Sequence, residues 1–250
     1  VCSSDLSYII DVYRKKYPAG RNLIEVAAYI SMFPQLIAGP IVTFDEVQPR
    51  LRERKISPAN IENGLLLFVV GLVYKVMLAN QIAALWNDVM VAGVMGINTA
   101  TAWLGAWGYS MQIYFDFLGY SLMAIGMGYM LGFRFPKNFS NPYCAVSVTD
   151  FWRRWHITLG RWFREYVYIP LGGNKKGKFR LVINIFIVWF LTGLWHGAAW
   201  NFIIWGMFFF ILMMLEKFIY LRFLEKHPII GHLYMLIIIP VSWVIFNISN

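Results

Sequence analysis

The sequence predicts an all-α fold: a polytopic transmembrane helical bundle with re-entrant or broken helices and one amphipathic cytoplasmic helix. Three observations carry this. Of the 250 residues 59% are apolar and 14% charged, against roughly 25% charged in soluble domains. Leu181 to Leu215 runs for 35 residues without Asp, Glu, Lys or Arg. The basic residues are segregated: Arg134 to Arg180 holds ten of the 22 with only two acids, and Val76 to Phe133 holds none. By the positive-inside rule the first stretch is cytoplasmic, and the polar links near Asn87-Asp88 and Asn98-Thr99 lie on the other side. A net charge of +9 then reports cytoplasmic loops and argues against nucleic-acid binding. Aromatics at 18% suit interfacial belts. Cys2 and Cys144 give no disulfide framework and no metal spacing. Residues 1–250 read as a single membrane domain, incomplete at both ends, with no initiator Met and a stop just after an apolar run. Residues 1–6 (VCSSDL) read as neither a start nor a helix, and are a candidate for non-native sequence.

Along the chain, Leu23 to Phe44 is apolar but broken by Pro34 and Gly39-Pro40, with basic patches on both sides. It is either a segment that enters and leaves by one face or a kinked pair of ordinary helices. Ser57-Pro58 opens the next helix, and Gly64 to Leu85 is long enough to span, with Lys75 snorkelling or facing a cavity. Thr101 to Phe133 returns with one charge, Asp116. It is long for one helix, with a kink expected near Gly119 to Ser121. Gly128 and Gly132 have the spacing of a helix-packing face.

In the basic segment 134–180, Ser147 and Asp150 stand at capping-box spacing. They open a helix expected to run unbroken to Pro170. Phe151, Trp155, Leu159, Trp162 and Tyr166 form one apolar face, and Arg154, Arg161 and Arg164 lie away from it. His156 sits beside that face, and from spacing alone an interfacial histidine without chemistry is the simpler reading. Leu171 to Lys178 (LGGNKKGK) matches the first part of a phosphate-binding loop, but Phe179 stands where Ser or Thr is needed, so a solvated basic turn is the better reading.

Leu181 to Leu215 as one helix would rise ~50 Å against a hydrocarbon core of roughly 30 Å. A break is therefore expected at Gly193 to Gly197, inside the membrane depth. At that break sits His196, the one ionisable residue of the stretch. An ionisable group there marks a functional site by default; the alternative is a histidine hydrogen-bonded between helices. Leu233 to Phe246 begins a last, truncated span, and His227 and His232 read as solvated in the loop before it.

Several segments resemble the membrane-bound O-acyltransferase family, in its bacterial alginate O-acetyltransferase-like branch. They are Tyr8 to Arg14, Phe33 to Ile41, Gln112 to Phe117 and Gly132 to Phe139. The strongest are Asp150 to Leu159, Tyr168 to Asn174 and Gly193 to Ala198. The resemblance covers about Tyr8 to Phe246, and several motifs in one order make it specific. It implies acyl transfer in a bacterial inner membrane, by a multi-pass enzyme with no bound cofactor and no metal. The family's membrane histidine matches His196 and its second histidine matches His156. The branch usually has a small polar residue and an acid where this chain has Leu118 and Leu122, so no polar contact comes from those positions.

On this reading His196 is the general base on an acceptor hydroxyl, since an imidazole titrates near neutral pH. His156 positions or polarises a cytoplasmic thioester donor, acetyl-coenzyme A or an acyl carrier. Trp195, Trp155 and Asn201 line the path, and Asp116 is a further candidate substrate contact. The implied partners are the lipid bilayer, an exported polysaccharide acceptor and an acetyltransferase outside the cytoplasm. The competing reading is a transporter or flippase with His196 as proton relay; no inverted repeat is visible to favour it. The charge segregation makes a direct prediction: single cysteines at Asn98 and Lys176 label with impermeant reagents from opposite sides of the membrane. Labelling of both from one side overturns the arrangement.

Overall fold

The computed structural model describes residues 2–36 and 39–248. Ile37 and Ala38, within the segment Phe33 to Ile41, lie outside the described residues. Among the described residues the secondary structure is helical, with no strand. The α-helices in chain order are α1 (Cys2–Tyr13), α2 (Leu23–Ile30), α3 (Phe44–Arg52), α4 (Pro58–Val73), α5 (Asn80–Gly96) and α6 (Thr99–Met130). They continue with α7 (Val148–Arg154), α8 (Ile157–Phe163), α9 (Gly177–His196), α10 (Trp200–Leu215), α11 (Leu221–Lys226) and α12 (Pro228–Asn247). Wider π turns occupy Tyr74–Ala79, Arg164–Tyr168 and Glu216–Tyr220. Four helical stretches among the described residues are long and apolar enough to cross a membrane: Pro58–Gly93, Gly177–His196, Trp200–Lys226 and Pro228–Asn247.

The chain forms two compact units, Val1–Ala79 with Tyr114–Asn138, and Asn80–Ile113 with Phe139–Asn250. In the first, Tyr29, Val42, Phe44, Val47, Ile125, Phe133 and Phe135 make the core. Phe44 receives the rings of Tyr8 and Tyr29 edge-on at 5.0 and 5.3 Å. The Tyr29 hydroxyl donates to the Val42 carbonyl at 2.8 Å. The same hydroxyl reaches the Ser4 carbonyl at 3.2 Å, which ties down α1. Contrary to expectation, residues 2–6 are therefore helical: Ser4 and Ser7 face inward, and the Ser7 hydroxyl donates to the Ser4 carbonyl at 2.6 Å. Serines of low helix propensity hid this start. Helix α2, at eight residues, rises only ~12 Å and cannot cross a bilayer. Helix α3 starts where the Thr43 N–H donates to the Glu46 carboxylate at 3.0 Å.

Helices α4 and α6 approach closely in this unit. A Cβ on Gly71 would stand 2.5 Å from the Gly119 carbonyl oxygen, and one on Gly126 would stand 2.5 Å from that of Gly64. So α6 passes unbroken through Gly119, where a kink was expected, because that glycine serves contact and not bending. Gly128 faces the Phe135 ring and Gly132 lies beyond the helix at φ +81°, so they do not form the expected packing pair. Lys75 forms an ion pair with Asp116.

In the second unit, α5 runs through Asn87-Asp88, expected as a polar link, and turns only at Gly93 (φ +66°). Asn98 then caps α6, its side-chain oxygen accepting from the Thr101 N–H at 2.9 Å. Helix α9 carries on through Gly193 to His196. Its 20 residues rise ~30 Å, enough to cross, so the break lies at the end of a full-length helix and not part-way along a short arm. The short-arm expectation overlooked that Gly177 to Arg180 joins the helix. Gly193 instead lets α10 in: a Cβ there would stand 2.6 Å from the Phe202 carbonyl oxygen, and one on Gly206 would stand 2.5 Å from that of Trp189. The LGGNKKGK stretch is a turn preceding α9, with Gly172, Gly173 and Gly177 at positive φ. Asn184 donates to the Gly173 carbonyl at 2.8 Å and ties it to α9. Helix α12 is not truncated: it opens at Pro228 and runs 20 residues. His227 precedes it, and His232, expected in a loop, lies within it; both are exposed.

The α9–α10 contact yields a stability test. Gly193→Ala should cost ~1–3 kcal/mol by overpacking. Gly96→Ala, whose Cβ would meet only Ala92 at 3.6 Å, should be neutral or slightly stabilising. Thermal unfolding in detergent measures both, and equal midpoints would remove the close-packing account.

Candidate active site

The amphipathic segment is not one helix. The Ser147 hydroxyl accepts from the Asp150 N–H at 3.1 Å and starts α7 as expected. The helix stops at Arg154, and His156 adopts the left-handed conformation (φ +44°, ψ +53°). Its carbonyl then accepts the Leu159 and Gly160 N–H groups at 3.0 and 3.1 Å, so His156 is also the first residue of the next cap. A non-glycine residue in this region is uncommon and costs of order 1–2 kcal/mol. Such strain clusters at functional positions. The break also changes the buried face: Phe151, Trp155, Leu159, Phe163 and Tyr166 are buried, with Phe163 taking the place expected for Trp162.

His156 is itself buried, at 6% exposed, so the interfacial reading is replaced by an internal one. Its ring lies 6.0 Å from that of Trp195, and Trp195 lies 4.8 Å from His196. His196, half-buried at the end of α9, meets Trp205 and Phe246 edge-on at 5.0 and 5.1 Å. Burial first, and then the charge of His196, push the His156 imidazole down from 6.5 to about 3. It is therefore neutral at neutral pH, with one ring nitrogen to donate and one to accept.

The other expected contacts divide. Trp195 stands between the two histidines. Trp155 packs between Phe151 and Trp243, at 5.4 and 4.9 Å. Asn201 donates to the Phe246 carbonyl at 2.7 Å and ties α10 to α12. Asp116 belongs to the first compact unit, with Lys75.

Residues 16–249 match the family model of MBOAT, the membrane-bound O-acyltransferase family. The chain belongs to this family. With its span-length helices, this MBOAT chain is an integral membrane protein. It is 42% identical over 246 residues to a probable alginate O-acetylase, AlgI, of Pseudomonas putida, covering 98% of this chain and 50% of that protein. It is 38% identical over 236 residues to a peptidoglycan O-acetyltransferase of Helicobacter pylori, covering 92% and 45%. It is 31% identical over 206 residues to a teichoic acid D-alanyltransferase of Bacillus subtilis, covering 76% and 50%. The chain thus spans about half the length of these relatives.

The MBOAT chain has a cavity of about 380 Å³ beside His156, walled by Trp152, Arg153, Phe163, Arg164, Trp189 and Thr192 among others. A second, of about 360 Å³, shares Trp152, Arg153, Gly160 and Arg164 and adds Arg161. Sequence reasoning missed Trp152, Arg153 and Arg164 as cavity residues, because an unbroken helix would have aimed them differently. Trp152 packs at 4.9 to 5.6 Å on Trp189, Phe209 and Trp205, and so joins α7 to the α9–α10 pair.

A pH test follows from the buried His156. Its folded value lies below the unfolded one, so between pH 6.5 and about 3 the unfolded chain binds more protons. Stability therefore falls with falling pH in that window, by up to about 1.4 kcal/mol per unit. Asn neither titrates nor strains in the left-handed region, so His156→Asn should flatten the slope. Thermal midpoints between pH 7 and 5 check this; parallel slopes would contradict it.

Proposed function

We propose that the protein is a membrane O-acyltransferase. It moves an acetyl group from a cytoplasmic thioester, acetyl-coenzyme A or an acyl carrier, to a hydroxyl of an exported cell-envelope polysaccharide. The observation that carries this is the meeting of two histidines far apart in sequence, with Trp195 between them. The acceptor oxygen attacks the thioester carbonyl carbon while His196 takes its proton. The carbon–sulfur bond breaks, and the leaving thiolate recovers that proton. Neutral His156 donates a ring N–H to the carbonyl oxygen as charge develops there, a contribution that strengthens in the transition state. The basic cavity beside His156 suits an anionic donor approaching from the arginine-rich side.

The names of the relatives support this acceptor class: alginate O-acetylase, peptidoglycan O-acetyltransferase and teichoic acid D-alanyltransferase. Greater identity to the two O-acetylating proteins supports acetyl over alanyl transfer. The setting is a bacterial inner membrane, with a second acetyltransferase outside the cytoplasm as the partner that completes the modification.

The test uses full-length protein in proteoliposomes, with labelled acetyl thioester and polymer acceptor. His196→Asn keeps volume and a hydrogen bond but cannot take a proton at neutral pH. It should keep folded yield while transfer falls ~10²–10⁴-fold. Wild-type rates in this variant would end the general-base role. Substrate movement without any ester in the wild type would instead point to a transporter.

A further inference from the structure

Glu216 ends the uncharged run and opens the π turn after α10, yet it is fully buried. Its partners lie 67 and 68 residues away: the Val148 N–H donates to Oε1 at 2.6 Å, and the Thr149 N–H and hydroxyl donate to Oε2 at 2.9 and 2.7 Å. The Tyr234 hydroxyl reaches the same carboxylate. Helix α7 has three N–H groups without a backbone acceptor at its start; Ser147 satisfies Asp150 and Glu216 satisfies the other two. At its far end the Arg154 carbonyl accepts the Ser140 N–H at 2.9 Å, and His156 follows two residues later. A seven-residue helix held at both ends transmits the placement of its first turn to its last. The helix that delivers Glu216 also carries Trp205, which packs on His196 at 5.0 Å.

We propose that Glu216 is a positioning residue for transfer: its carboxylate clamps α7 to the end of α10 and so sets His156 relative to His196. This rests on the roles proposed above for the two histidines. A carboxylate is required because both oxygens accept from N–H donors. Glutamine would turn an NH₂ toward one of them, whichever way its amide faced.

The experiment measures Glu216→Gln, His156→Ala and the double variant in full-length protein, each per amount of folded protein. Glu216→Gln should lower kcat by about tenfold or more, since small misplacements cost that much. The double variant should be no slower than His156→Ala alone, because the two losses share one route. Thr149→Val, which removes one of the bonds to Glu216 and leaves the backbone ones, should show a smaller loss of the same kind. It is the deciding variant where Glu216→Gln does not fold.

A second readout is independent of transfer. Diethyl pyrocarbonate modification of His156, followed by peptide mass analysis, should be slow in the wild type and several-fold faster in Glu216→Gln or Thr149→Val. Unchanged kcat and unchanged His156 modification, in variants that fold, would overturn the clamp. Losses that multiply with His156→Ala would make Glu216 merely structural and overturn it equally. If the wild type forms no ester, the acyltransferase reading fails, and the modification rates alone decide the clamp.

Discussion

The close approach of α9 and α10 is the constraint on which the second unit depends. Two glycines, Gly193 and Gly206, let each helix press on a backbone carbonyl of the other. In lipid no hydrophobic force separates helix–helix from helix–tail contact, so dispersion at short range must supply the cohesion. That proximity brings Trp189 and Trp205 together, 6.2 Å apart, as a wall on which Trp152 of α7 rests. His196 emerges at the end of one member of the pair, against Trp205 of the other. The positions of both histidines therefore derive from the pair: one directly, the other through α7.

Much of this was legible in the sequence. The membrane class followed from charge scarcity, and His196 was conspicuous as the one ionisable residue in 35. The three-four spacing of Phe151, Trp155 and Leu159 gave the right buried side. The break at His156 was not legible, because histidine carries none of the local marks of glycine or asparagine in a left-handed turn. Tertiary packing imposes it. Gly193 and Gly119 were misread for the converse reason: glycine was taken as punctuation, whereas between membrane helices it permits contact. Glu216 left a signal that went unused, a lone acid closing an uncharged run. Its partners at Val148 and Thr149 could not be found without the fold.

The first unit handles charge in the same economical way. Lys75 and Asp116 are isolated charges on long apolar helices, and the fold pairs them. Arg52 and Glu25 form a bidentate pair at 2.8 and 3.0 Å nearer the chain start. Both Lys75 and Asp116 remain 41% exposed along their side chains. The pair is thus open to its surroundings, unlike Glu216, whose charge is met entirely by hydrogen-bond donors.

The π turn at Glu216–Tyr220 ties chain length to geometry. A π turn holds one residue more than the α turn it replaces. Loss of one residue there would rewind the segment as α-helix and rotate all that follows by about 100° about the axis. Tyr234, which now reaches the Glu216 carboxylate, lies on the far side of that rotation. Sequence drift in this region can therefore exchange side chains freely only while it preserves the residue count, and an insertion or deletion of one would be read by the fold as a change of direction.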